Sequence, residues 1–207
     1  MVEANLRICD ETESGFGWIA PRPELLERAS HALRADGRIW LVDPVREPGI
    51  EERILMLGTP AGVVQLLDRH PRDCAALAER LGVPLHRVPF SRIPGAPFEA
   101  RRVVDLPGWR EAALWWPEER VLVFAGALGT ASYFGAPEEA LAVHPALRRY
   151  CPRSLRDLAR CLAPSHVLVG HGAGIHGEEA APAFAQAVEG ARRTAPGWLR
   201  NQVRRRK

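Results

Sequence analysis

Apolar and polar positions divide the 207-residue chain into short apolar runs separated by breaks rich in glycine, proline and charge. Leu6 to Cys9 reads as a short strand and Glu11 to Gly17 as a polar loop. Behind Pro23, the apolar residues Leu25, Leu26, Ala29 and Leu33 share one helical face, which predicts a helix over Glu24 to Arg34. Asp36-Gly37 is a turn, and Arg38 to Val42 a strand that stops at Asp43-Pro44. Ile50 to Leu57 is a helix stopped by Gly58. Val63 to Leu67 is the next strand and runs into the polar loop Asp68 to Cys74. A helix over Cys74 to Leu81, closed by Gly82, and a strand over Val83 to Val88 complete a βαβ unit. Pro89, Pro94 and Pro97 mark an irregular connection. Runs at Arg101 to Leu106, Ala112 to Trp116 and Val121 to Phe124 are joined by short turns and predict antiparallel pairing. A glycine-rich loop spans Gly126 to Gly135, and an amphipathic helix Pro152 to Leu162. The run Val167 to Val169 ends in the turn Gly170-His171-Gly172, and a helix follows over Glu178 to Arg193.

Composition adds exclusions. Hydrophobic residues make up 46% of the chain and charged residues 26%, the balance of an ordinary globular protein with a full core. No apolar run reaches the length of a membrane span, and the N-terminus lacks the basic start and apolar core of a signal peptide. Cys9, Cys74, Cys151 and Cys161 form no CxxC pair, so no zinc knuckle or redox motif is indicated, and a reduced, cytoplasmic protein is expected. The net charge is +3, with basic excess in Arg204-Arg205-Arg206-Lys207. No basic-aromatic patch accompanies that tail in the sequence, so residues 200–207 are expected to be a solvated, disordered end, and no specific nucleic-acid partner is expected. One domain over residues 1–207 is expected.

Chemistry concentrates where strands end. Asp43 closes one strand and either holds a loop by accepting N–H groups or faces a site. The loop Asp68-Arg69-His70-Pro71-Arg72-Asp73-Cys74 closes another, at the strand end where open α/β sheets place their sites. His171 sits in the Gly-His-Gly turn, whose glycines allow a sharp bend and close approach to a ligand. Cys74, at a helix start, is either a thiolate nucleophile with His70 or His171 as base, or a small buried hydrophobe. No Gly-x-Ser-x-Gly elbow is present.

In their order, Trp40-Leu41-Val42-Asp43-Pro44, Leu66 through Cys74, Leu106-Pro107-Gly108-Trp109, Val121 through Ala127, and Val169-Gly170-His171-Gly172 resemble the metallo-β-lactamase-fold superfamily over roughly residues 38–193. The resemblance implies an α/β (α+β) four-layer αββα sandwich, two mixed sheets covered by helices, with a site at one edge. The family's loops read Thr-His-x-His-x-Asp-His, Pro-Gly-His, Gly-Asp and Gly-His-Gly, and their side chains hold metal ions that acidify a bound water. Here the motif's Asp falls on Asp73, and its histidines on Arg69, Pro71 and Cys74. A shift of one residue puts His70 on a ligand position and Asp73 on the last histidine. Under either alignment Trp109 replaces the Pro-Gly-His histidine, and Ala127 the Gly-Asp aspartate.

The expected protein is therefore a degenerate member without the dinuclear site. It binds a small anionic ligand or a protein partner at the former active-site edge, through Asp43, Arg69, His70, Arg72, Asp73, Cys74, Trp109 and His171. The alternative is an ester, thioester or phosphodiester hydrolase with one zinc, iron or manganese ion on His70, Asp73 and His171. Trp18, Trp115, Trp116 and Trp198 are candidates for an exposed interaction surface, and a homodimer is compatible with them.

Overall fold

The computed structural model describes residues 6–21 and 26–205, with side chains described as far as Thr194. β1 (Arg7–Thr12) and β2 (Gly15–Ile19) form one hairpin, and β3 (Ala29–Ala35) and β4 (Arg38–Val42) another. α1 (Ile50–Leu57) crosses to β5 (Thr59–Gln65), and α2 (Cys74–Leu81) crosses to β6 (Leu85–Arg87). Among the described residues these six strands make one sheet, ordered β1-β2-β3-β4-β5-β6. It is antiparallel as far as β4 and parallel from β4 to β6.

β7 (Glu99–Leu106), β8 (Trp109–Trp116) and β9 (Val121–Phe124) form an antiparallel meander. After the small pair β10 (Leu128–Gly129) and β11 (Ala142–Val143) come α3 (Pro145–Arg148) and α4 (Arg153–Cys161). β12 (His166–Val169) then pairs parallel to β9, and β13 (Ile175–His176) antiparallel to β12. The second sheet is β13-β12-β9-β8-β7, followed by α5 (Ala180–Arg205). Parallel neighbours are not joined by hairpins, so both mixed sheets need helical crossovers, which cover their outer faces.

Alternation along β4 builds the layers. Ile39 and Leu41 face α1 and α2 in a cluster with Phe16, Trp18, Ile54 and Val63. Trp40 and Val42 point inward and join Phe98, Leu114, Trp116, Phe124 and Phe184 between the sheets and beneath α5. The result is a four-layer αββα sandwich. Asp10 staples the sheets at one side, since its Oδ1 accepts from Gly174 N at 2.7 Å and from His176 Nε2 at 3.0 Å.

Three sequence expectations need correction. Residues 24 and 25 of the expected helix Glu24 to Arg34 lie outside the described residues, but Ala29–Ala35 is strand β3, between β2 and β4. Ladder bonds on both sides outweigh a helix-like spacing of four apolar residues, and Leu26 (φ 55°) and Glu27 (φ 51°) are left-handed, which a helix does not accept. Trp18, Trp115 and Trp116 are buried and do not form an exposed surface, while the Trp198 side chain lies outside the described residues. Glu11 to Gly17, expected as a polar loop, holds the end of β1 and the start of β2, because their antiparallel pairing satisfies the backbone groups there.

Candidate functional site at the sheet edge

The C-terminal ends of β4, β5, β9 and β12 open onto one edge. They deliver Asp43, the loop Leu66–Asp73, the turn Ala125–Ala127 and the Gly-His-Gly turn. The segment before β3 clamps the last of these. Ala29 N donates to Gly170 O at 3.0 Å, and Gly172 N donates to Glu27 O at 2.9 Å. His171 O accepts from both Thr130 N and Ala131 N. Glycine is required at 172, because its φ is +91° and a Cβ there would lie 2.1 Å from Thr130 Oγ1.

Arg72 stands at the centre. Its Nη1 donates to the carbonyls of Ala29 and of Asp43 (2.8 Å to the latter), and its Nη2 donates to Gly170 O at 2.8 Å. One guanidinium thus ties β3, β4 and β12 together through main-chain oxygens. Both Arg72 (φ 43°) and Asp43 (φ 44°) hold left-handed backbones to do this, a strain that non-glycine residues tolerate only where the surroundings impose it. Asp43 is buried and its Oδ1 accepts from Leu66 N at 2.9 Å. Burial pushes its carboxyl up to about 6, against the pull of Arg72.

Glu111, on β8, is the residue that the sequence reading missed. It is fully buried. Its Oε1 accepts from three consecutive amides, Ala125 N at 3.2 Å, Gly126 N at 2.9 Å and Ala127 N at 2.8 Å. Its Oε2 accepts from Trp109 Nε1 at 3.1 Å. Consecutive amides aimed at one point make an anion-binding concavity. The chain fills that concavity with its own carboxylate. The available signal was a glutamate directly before the apolar run Ala112 to Trp116.

The remaining groups face the edge. His70 and His171 meet edge to face, with ring centroids 5.1 Å apart. His171 Nδ1 lies 2.9 Å from Leu26 O; a carbonyl only accepts, so Nδ1 carries the proton and the neutral ring keeps its lone pair on Nε2. Burial, reinforced by the charge of Arg72, pushes His171 down to about 4 and His70 to about 2, so both are neutral near pH 7. His70 Nδ1 is buried without a hydrogen-bond partner among the described residues. Arg69 is exposed, and its guanidinium lies 4.2 Å from the ring centroid of Trp109, within cation–π range. His144 meets the same ring edge-on at 4.8 Å and caps α3 by accepting Ala146 N on Nδ1. Arg28 lies close enough to depress both His70 and His171, and among the described residues neither Arg28 nor Arg69 pairs with a carboxylate.

Asp43, Arg69, His70, Arg72, Trp109 and His171 are therefore brought together. Asp73 and Cys74 are not. The Asp73 carboxylate accepts from Arg46 N at 2.8 Å, which holds the loop before α1. Cys74 is fully buried under the first sheet with Phe16, Trp18 and Leu41. Burial raises its thiol well above the ordinary range, so it does not supply a thiolate.

No family model and no curated protein matches the sequence. Solved structures do resemble the fold. A metallo-β-lactamase from Erythrobacter litoralis superposes with a TM-score of 0.59 at 10% identity, covering 89% of this chain and 92% of that one. FIM-1 from Pseudomonas aeruginosa, a metallo-β-lactamase in its mono-zinc form, gives 0.59 at 11% identity, with 90% and 96% covered. The metallo-β-lactamase DIM-1 gives 0.57 at 13% identity, with 90% and 98% covered. The chain has the metallo-β-lactamase fold, as a divergent example of it.

The metal centre that this fold implies does not fit the residues present. Two imidazoles converge, but Asp73 is bonded elsewhere, and Trp109 and Ala127 offer no ligand. Among the described residues no group of three or more His, Cys, Asp or Glu side chains is placed to hold a metal ion. Arg72, bound by three carbonyls, puts a fixed positive charge beside the two histidines.

Proposed function

We propose that this is a metallo-β-lactamase-fold protein without the dinuclear centre, whose sheet edge binds a small carboxylate or phosphate. The observation that carries this reading is a pair of cations, Arg28 and Arg69, without carboxylate partners among the described residues, beside two neutral imidazoles and the Trp109 ring. Arg72 and Glu111 are already saturated by main-chain groups, so they shape the edge and leave the ligand to the outer arginines. A guanidinium fork donates two parallel hydrogen bonds to a carboxylate or phosphate, and the neutral His171 ring adds no opposing charge, its Nε2 lone pair accepting from a protonated oxygen of the ligand.

The test is thermal unfolding with increasing inorganic phosphate or malonate. A ligand that binds only the native state raises stability by about 2.7 kcal/mol at roughly a hundredfold excess over Kd. One of the two anions is expected to raise Tm by several degrees. Arg69→Ala and Arg28→Ala should each remove the shift, while Arg34→Ala, on the exposed end of β3, should not. No shift with either anion overturns the reading. So does zinc-dependent hydrolysis of an ester, thioester or phosphodiester that is lost in His171→Ala, which would establish a hydrolase built on His70 and His171.

A further inference from the structure

A second concentration of positive charge lies in the cleft between α4 and α5. The cleft holds about 590 Å³ and is lined by Arg149, Arg153, Arg156, Arg160 and Arg192. Three of these follow one another at i, i+3 and i+7 along α4, which puts them on a single face spanning about 10 Å. Arg149 lies one helical turn earlier in the sequence, and Arg192 faces the row from α5.

Little of this charge is neutralised. Glu189 lines the cleft, and Asp157 meets Arg153 at 3.6 Å with both side chains exposed. Arg149, Arg156, Arg160 and Arg192 form no ion pair among the described residues. The adjacent Arg148 shows the contrast. It is buried, paired with Glu139 at 3.0 Å and bonded to Phe134 O at 2.7 Å. α4 also breaks the rules that stabilise a helix on its own. Its first turn holds Arg153 and no acidic residue, against the helix dipole, and although Arg160 complements the dipole in the last turn and Asp157 answers Arg153, the pairs Arg153–Arg156 and Arg156–Arg160 repel at helical spacing. A segment that departs from local rules without a structural return points to a function.

An aromatic ring completes the arrangement. Tyr150 stands at the cleft with 74% of its surface exposed, and the Arg149 guanidinium lies 5.4 Å from its ring centroid. Arginine forks match phosphodiester oxygens, and an exposed ring offers a stacking surface to any unpaired base. A base within a duplex is already stacked, so the ring favours a single strand. Tyr150 adjoins the arginine row in the sequence, and folding adds Arg192 from α5.

We propose that the cleft between α4 and α5 binds a single strand of nucleic acid, with the α4 arginines on successive phosphates and Tyr150 under a base. The experiment is fluorescence anisotropy of the full chain with a labelled RNA strand of about 12 nucleotides, a length suited to one small binding surface. The strand is expected to bind, with an affinity that falls steeply as salt rises. The double variant R156E/R160E should weaken binding at least about tenfold, while R34E/R87E, with the same change in net charge on the exposed surface of the other sheet, should change it far less. R156K/R160K should retain most of the binding, which separates loss of charge from loss of fold. Tyr150→Ala should weaken the strand several-fold yet leave competition by inorganic tripolyphosphate unchanged. Absence of binding overturns the proposal. Equal losses in the two charge-reversal variants overturn it as well, as would a duplex of the same length binding as tightly as the strand, or indifference to Tyr150→Ala.

Discussion

The sheet edge and the α4 face both crowd charges together, and they differ in what answers those charges. At the edge, Arg72 spends its donors on the carbonyls of Ala29, Asp43 and Gly170, and Glu111 accepts from the amides of Ala125, Gly126 and Ala127. Those ions are parts of the scaffold, because the backbone groups that they satisfy would otherwise be buried without partners. On α4, Arg156 and Arg160 are exposed and meet no acceptor among the described residues. A charge saturated by its own backbone maintains the fold, and a charge without a partner is available to something else. The count of arginines would not distinguish the two regions; the count of their acceptors does.

Substitutions can break this contrast. The largest effect is expected from Glu111→Leu, which leaves three converging amides and the Trp109 N–H without an acceptor. Removing one partner from a buried charged network costs about 3–5 kcal/mol. At two to four degrees per kcal/mol for a chain of this size, Tm should fall by roughly 10 °C in a calorimetric scan. A loss below about 1 kcal/mol would show that water replaces the carboxylate. Arg72→Met should follow, at about 2–4 kcal/mol by urea unfolding, because three carbonyls lose their donor and the left-handed backbone at 72 loses its purpose.

Acid is a milder probe of the same edge. His70, His171 and His144 are held neutral, pushed down to about 2, about 4 and about 4 by burial and by neighbouring arginines. In the unfolded chain they take up protons near pH 6.5. The unfolded state therefore binds more protons between about pH 6.5 and 4, and stability falls as pH falls through that window. Asp43, pushed up to about 6, and Glu111, pushed up by burial, act the other way, but the depressed imidazoles, which include buried His31, outnumber them. Each uncompensated proton amounts to about 1.4 kcal/mol per pH unit. Urea midpoints measured from pH 7.5 to 4.5 should decline, and His144→Asn, which preserves an N-cap acceptor on α3, should flatten the decline by about one proton. A level profile in the wild type would mean that the three rings are charged in the native state.

The smallest effect is expected on α4. R156A/R160A should leave stability within about 0.5 kcal/mol of wild type, with a slight gain from relieved repulsion. A loss above 1 kcal/mol would place those arginines with Arg72 as scaffold and remove the contrast.

Much of this architecture was legible along the chain. α1 and α2 begin and end where glycine stops and apolar spacing put them, and β9 matches its apolar run. The order of loops indicated the metallo-β-lactamase fold, and Pro71, Trp109 and Ala127 stand in those loops as side chains that cannot ligate a metal. Such features are local. They depend on side-chain type, on the helical or alternating period, and on which residues can ligate at all.

What required tertiary structure was every feature set by partners distant in sequence. β3 is a strand because β2 and β4 pair with it, although its own spacing resembles a helix. Asp73 and Cys74 adjoin His70 and Arg72 in the sequence yet turn into the loop before α1 and into the core, because α2 starts there and rotates successive side chains apart. Glu111 became visible only when three amides from the turn after β9 closed on it. Arg192 joined the α4 arginines only when α4 packed on α5. Periodicity reports which face of an element is apolar, whereas the neutralisation of a charge is decided by what the completed fold brings within hydrogen-bonding distance.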